Sequence, residues 1–227
     1  MNMKYLLRYL ILAVLFASAA SMGFQKKTKV IFFGDSITQM GVNPGGYITL
    51  LQDSINKKGL SFQYELIGSG VGYNKVYDLY LRMDDDVLAK NPDRVFIWIG
   101  VNDVGHKRSM GTGTDADKFE RFYEAIIKKL QAKNIQLVLC TPASIGERTD
   151  YTNSEDGELN YYSGMIRNLA KKFNCGLVDF RKDFHEYVIS HNPENKDKGI
   201  LTKDGIHLNE AGNSFVAAKF FEVLVKK

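Results

Sequence analysis

Cysteine is scarce in this chain of 227 residues, with Cys140 and Cys175 its only two, so a disulfide-stapled scaffold is excluded. Four prolines, and no Pro- or Ser-rich stretch, repeat or low-complexity tract, leave no linker at which to divide the chain. The four histidines, His106, His185, His191 and His207, lack metal-ligand spacing, so no metal is expected. Neither sign of charge dominates, with 30 Lys and Arg against 26 Asp and Glu, which argues against a nucleic-acid partner. Gly111-Thr112-Gly113 lacks the third glycine of a phosphate loop and does not open from a strand, so no nucleotide cofactor is expected.

What is present begins with an unusual amino end. Lys4 and Arg8 make a basic start, Tyr9 to Phe16 an apolar stretch, and Ala17 to Ser21 a run of small residues. This is the layout of a secretory signal peptide spanning residues 1–21, with cleavage after Ala19 or Ser21, and it predicts a secreted or periplasmic protein. The apolar part is shorter than the ~20 residues a membrane span needs. Residues 22–227 then form one domain of roughly 205 residues, enough for a sizeable core. Setting aside Lys4 and Arg8 leaves 28 basic residues against 26 acidic, close to balance.

Short apolar runs alternate with amphipathic segments. Strands are predicted at Lys29–Phe33, Tyr64–Ile67, Arg94–Ile99, Gln136–Cys140 and Gly176–Asp179. Helices are predicted at Tyr47–Lys58, Val76–Ala89, Asp117–Lys133, Gly157–Lys172, Lys182–His191 and Asn209–Lys226. The alternation predicts a doubly wound α/β/α sandwich on a five-stranded parallel sheet of order 2-1-3-4-5, a flavodoxin-like arrangement. In that arrangement Cys140 and Cys175 stand ~15 Å apart, so two buried free thiols are expected. Three polar segments, 106–116, 144–156 and 192–204, read as long loops, and the first two leave the carboxyl edge of the sheet.

The chemistry gathers at that edge. Val30 to Phe33 stop on Gly34 and deliver Ser36 into a tight turn. Gly100, Asn102 and Asp103 follow the third strand, on the other side of the point where the winding reverses. An Asn102 amide there can donate to an oxyanion forming beside a serine. Near the far end, Asp204 precedes His207 by three positions, a spacing that lets a carboxylate hold one ring nitrogen while the other faces a nucleophile. Serine, imidazole and carboxylate are the parts of nucleophilic acyl transfer.

Three blocks, Gly34-Asp35-Ser36-Ile37-Thr38, Gly100-Val101-Asn102-Asp103 and Asp204-Gly205-Ile206-His207-Leu208, occur in the order of the SGNH hydrolase family, also called GDSL esterases and lipases, which the chain resembles over almost its whole length beyond residue 21. The resemblance implies Ser36 as nucleophile, His207 as general base and then acid, and Asp204 as the residue that orients His207. It also implies an oxyanion hole from the Ser36 N–H, a backbone N–H after the second strand, and the Asn102 side chain. The family's second block runs through residues 68–74, where its asparagine falls on Gly68 and its oxyanion glycine on Tyr73. A shift of one residue puts Gly72 in that role instead. Asp35 and Asp103 within the blocks, and His106 three residues beyond the second of those quoted, are candidate substrate contacts.

These readings predict an exported serine esterase, cleaving carboxylic esters and most simply short O-acyl groups on carbohydrates. Tyr47, Tyr73, Tyr151, Tyr161 and Tyr162 are candidate stacking surfaces at its rim. A lysophospholipase or other long-acyl esterase, and a catalytically weak ligand- or glycan-binding protein, are the alternatives on the same fold. The partner in every case is a small molecule or a glycan.

Overall fold

The computed structural model describes residues 26–226; the expected signal peptide, residues 1–21, lies outside them. Five parallel strands pair in the order β2-β1-β3-β4-β5. They are β1 (Thr28–Gly34), β2 (Tyr64–Gly70), β3 (Arg94–Trp98), β4 (Gln136–Cys140) and β5 (Gly176–Val178). Helices α1 (Ser36–Gly41) and α2 (Tyr47–Lys57) follow β1, α3 (Val76–Asp86) follows β2, and α4 (Val101–Met110) and α5 (Ala116–Gln131) follow β3. Helix α6 (Asp156–Lys172) follows β4, and α7 (Phe180–His191) and α8 (Glu210–Val225) follow β5.

The alternation of side chains along each strand makes two cores from one sheet. Ile31, Phe33, Val95, Ile97, Leu137 and Leu139 point to a layer completed by α3, α5 and α6. Val30, Phe32, Phe96, Trp98, Val138 and Cys140 point to a second layer, against α2, α7 and α8. Both faces are covered, which is why the strands carry so few polar residues. The second layer is aromatic at its centre, with Phe32, Tyr47, Trp98 and Phe220 packed at centroid separations of 5.1–6.1 Å.

Strand β1 lies between β2 and β3, and its last residue, Gly34, pairs in register with Gly70 on one side and Trp98 on the other. A Cβ on Gly34 would fall 2.4 Å from the Trp98 carbonyl oxygen, and one on Gly70 would fall 2.1 Å from the Gln39 backbone nitrogen. Bare backbone at both positions lets the three chains leave the sheet side by side. Among the described residues no helix is long and apolar enough to cross a membrane.

Three expectations need correction. Residues 106–110 are not loop but the second half of α4, which is preceded by its cap residue Gly100, whose φ of +131° makes the turn out of β3. Helix α3 ends at Asp86 instead of Ala89, because Val87 leaves helical geometry and a short 3₁₀ turn, Leu88–Lys90, follows. Cys140 and Cys175 are both free thiols, as expected, but only Cys140 is fully buried; Cys175 stands just before the short edge strand β5.

Candidate active site

Ser36 is the first residue of α1. Asp35 caps that helix, its carboxylate accepting the Ile37 N–H at 2.9 Å, so the serine is held between a strand end and a helix start. The Ser36 Oγ lies 2.9 Å from His207 Nε2, and His207 Nδ1 lies 2.7 Å from Asp204 Oδ2. A carboxylate can only accept, so Nδ1 carries the proton toward Asp204 and Nε2 presents its lone pair to the serine hydroxyl. The other Asp204 oxygen accepts the backbone N–H groups of Ile206 and His207, at 3.0 and 2.7 Å. Partial burial raises the Asp204 pKa, and the three hydrogen bonds outweigh it, leaving the carboxyl below its usual range.

The loop that carries Asp204 and His207 is pinned at several points. Thr202 and Leu208 form an antiparallel bridge, and Lys203 N–H donates to the His207 carbonyl at 2.8 Å. The buried Glu147 carboxylate accepts three consecutive backbone N–H groups, from Ile200, Leu201 and Thr202, each at 2.7 Å. Gly146 N–H adds a bond to the Gly205 carbonyl at 2.9 Å. Segment 144–156 therefore serves as the bed on which the histidine loop lies.

On the other side of Ser36, the chain leaving β2 turns through Gly72 and Tyr73. Tyr73 adopts φ +64°, the left-handed region that favours glycine. The Gly72 N–H is already donated to Gln39 Oε1 at 2.8 Å, whereas among the described residues the Tyr73 N–H has no paired acceptor. Asn102, in the first turn of α4, donates one amide hydrogen to the Asn74 carbonyl at 3.0 Å, which leaves its second hydrogen for another acceptor.

Ser36, Tyr73, Asn102 and His207 line one cavity of about 600 Å³, whose further lining includes Val101, Gly105, His106, Met110, Ile145 and Ile206, with the Arg108–Glu155 ion pair. A cleft of about 1030 Å³ lies away from these residues, at the amino ends of the strands; it holds no serine or histidine, and Lys26 and Lys129 there are paired with Asp93 and Asp84.

The remaining candidates divide. His106 reaches the cavity with its ring 5.8 Å from that of Tyr73, and burial together with Lys75 lowers its pKa. Asp35 and Asp103 do not reach it. Both are buried; burial foremost, then the charge of Asp103 nearby, pushes Asp35 up to about 7, against the opposing Ile37 N–H. Burial likewise raises Asp103 to about 6, with the Thr114 hydroxyl and the Val76 N–H pulling the other way. Of the five tyrosines expected at the rim, Tyr47 and Tyr162 are core residues, Tyr151 and Tyr161 are exposed outside the cavity, and only Tyr73 lines it.

Residues 32–215 match the profile described as the GDSL-like lipase/acylhydrolase family. The chain belongs to this family. A solved acetyl xylan esterase, AlAXEase, is 62% identical and superposes with a TM-score of 0.86, covering 87% of this chain and 100% of its own. An acetylxylan esterase from Geobacillus stearothermophilus is 27% identical over 208 residues, spanning 85% of this chain and 91% of its own. An isoamyl acetate-hydrolyzing esterase 1 homolog from Rattus norvegicus is 25% identical over 205 residues, spanning 88% and 82%. Carboxylic ester hydrolysis is the reaction class of this GDSL-family chain.

Proposed function

We propose that the chain is an exported esterase that removes short O-acyl groups, acetyl above all, from carbohydrates by way of Ser36, His207 and Asp204. The observation that carries the reading is the hydrogen-bonded line from Ser36 Oγ through both His207 nitrogens to Asp204. Two relatives named acetylxylan esterases, one of them 62% identical, support the acyl group and the sugar. The basic, apolar and small-residue layout of residues 1–21 supports export.

In this mechanism the Ser36 oxygen attacks the ester carbonyl carbon as its proton passes to His207 Nε2. The carbonyl oxygen takes up the negative charge and is met by the backbone N–H groups of Ser36 and Tyr73 and by the free Asn102 amide hydrogen. The bond to the sugar oxygen breaks, and the His207 imidazolium protonates that oxygen. Water then attacks the acyl-Ser36 carbonyl with His207 as base, releasing the carboxylic acid. Asp204 stays ionised throughout and keeps His207 in the productive tautomer.

A series of nitrophenyl esters from acetate to long acyl, run beside an acetylated xylo-oligosaccharide and with Ser36→Ala as control, tests the proposal. The acetate should be the best nitrophenyl substrate and the oligosaccharide should release acetate. A maximum at long acyl chains would replace this reading with the lysophospholipase one.

A further inference from the structure

Arg82, on α3, is not a wall of the cavity, yet it bonds to the ends of β1 and β2 and to the Asn74 loop, behind the proposed nucleophile and oxyanion donors. A guanidinium has five N–H donors in one plane, and each of those of Arg82 has an acceptor. Nε donates to Asn74 Oδ1 at 2.7 Å. One terminal nitrogen donates to Ser69 Oγ at 3.3 Å and to Asp86, one helical turn along α3. The other donates to the backbone carbonyls of Gly34, at 2.8 Å, and Ser69, at 3.1 Å. The guanidinium carbon also sits 4.5 Å from the centroid of the Phe33 ring, so the plane is fixed from its face as well as its edges.

The partners of that plane are informative. Gly34 ends β1 two residues before Ser36, and Ser69 lies at the end of β2, four residues before Tyr73. Asn74 follows Tyr73, and its carbonyl is the acceptor that orients Asn102. An ion pair with Asp86 alone would serve only α3; the four other bonds leave the helix for the segments that carry Ser36 and Tyr73 and, through Asn74, Asn102. We propose that Arg82 is a positioning residue that sets the oxyanion donors against the nucleophile, an inference that rests on the assignment of those donors above. Its contribution is to the geometry of the transition state and not to the binding of the ester. Lysine cannot replace it, because three donors on a single nitrogen give neither the fork nor the flat face.

The test compares Arg82→Ala and Arg82→Lys with the parent on nitrophenyl acetate, with unfolding followed in parallel. Turnover should fall about 100-fold in both variants, the scale of one misplaced oxyanion donor, while KM stays within about threefold. Guanidinium ion at tens of millimolar should recover about tenfold of kcat in Arg82→Ala and nothing in Ser36→Ala. A folded Arg82→Ala with kcat within about threefold of the parent overturns the proposal. So does a loss that merely follows the unfolded fraction and resists guanidinium, or full activity in Arg82→Lys. Should Arg82→Ala not fold, the kcat and KM of Arg82→Lys decide alone. Retained hydrolysis in Ser36→Ala is a separate result, because it removes the assignment of the site itself and not only the part given to Arg82.

Discussion

Ser36 stands where an interior strand of the sheet, β1, meets a helix, whereas Asp204 and His207 stand in irregular chain between α7 and α8. The first half of the site inherits its position from regular structure: β1 is paired on both sides, and Asp35 and Arg82 trim the exit. The second half has no such frame, and its order is imported from segment 144–156, above all from the three N–H groups held by Glu147. The charges differ in the same sense. Beside Ser36 lie two buried carboxyls held above their usual range, whereas Asp204 is held below it. The carboxyls of one half are governed by burial, and those of the other by the hydrogen bonds they accept.

The largest effects should come from the proposed catalytic line of Ser36, His207 and Asp204, where the halves meet. Ser36→Ala should abolish turnover, and Asp204→Asn should lose ~10⁴-fold while remaining folded, since an amide can hold the wrong tautomer of His207. Steady-state hydrolysis of nitrophenyl acetate measures both; near-parental rates in Asp204→Asn would remove it from the orienting role.

Next comes the anchor of the weaker-framed half. Glu147→Gln sets an amide N–H against one of the three backbone N–H groups and removes the charge that the others share, so stability should drop by ~3 kcal/mol. Urea unfolding reads the loss, and hydrogen exchange locates it: faster exchange confined to residues 200–208, with β1 unchanged, sustains the comparison. Equal loosening of β1 would show that the two halves are one unit.

Acidity separates the halves more gently. Asp35, at about 7 in the fold against 3.8 as a free carboxyl, holds an extra proton in the native state, so its contribution is intact at low pH and is lost as pH rises from about 4 through 7. Asp103 acts in the same direction up to about 6. Asp204, with its pKa lowered, acts the opposite way and stabilises only above its unfolded value. Asp35→Asn keeps the helix cap. It should therefore be more stable than the parent at pH 8 by ~2 kcal/mol, with the gap closing by pH 4.5. A gap that does not change with pH would mean that Asp35 carries no shifted proton.

The smallest effect is expected at Tyr73. Glycine there relieves a left-handed backbone and should add ~1 kcal/mol of stability. It keeps the N–H and removes only the ring, so acetate hydrolysis should stay within about tenfold and longer acyl esters should be better accepted. A rise of ~100-fold on acetate would instead mean that the tyrosine backbone is misplaced in the parent.

Much of this was legible in the sequence because its carriers are local. Gln136–Cys140 was read to the residue, since a purely apolar run between polar neighbours marks a strand covered on both faces. Gly34, Ser36, Asn102, Asp204 and His207 announce themselves by type and order. Helix α4 was not legible: its second half, Gly105 to Met110, is polar because it borders a cavity and solvent, and so lacks the apolar stripe that marks a packed helix. Arg82 and Glu147 were missed for a different reason. All three partners of the Glu147 carboxylate and two of the five of Arg82 are backbone groups, which every residue has. The side-chain partners of Arg82, on Ser69, Asn74 and Asp86, form no recurring motif, so no pattern of side chains points to either residue. The tyrosines misled because residue type alone cannot tell a core ring from a rim ring; Tyr47 packs with Trp98 and Phe220.

The level row formed by Gly34, Gly70 and Trp98 has a consequence for how the chain tolerates changes of length. Residues added at the amino ends of β1, β2 or β3 can be absorbed in the connections that precede them, far from the chemistry. A residue added at the other edge, between Gly34 and Ser36, Gly70 and Tyr73, or Trp98 and Asn102, lengthens a short turn and displaces one functional group, while its two neighbours stay put. Insertions and deletions among natural variants should therefore fall on one edge of the sheet. A library of single-residue insertions would separate the two edges with no kinetic measurement beyond active or inactive.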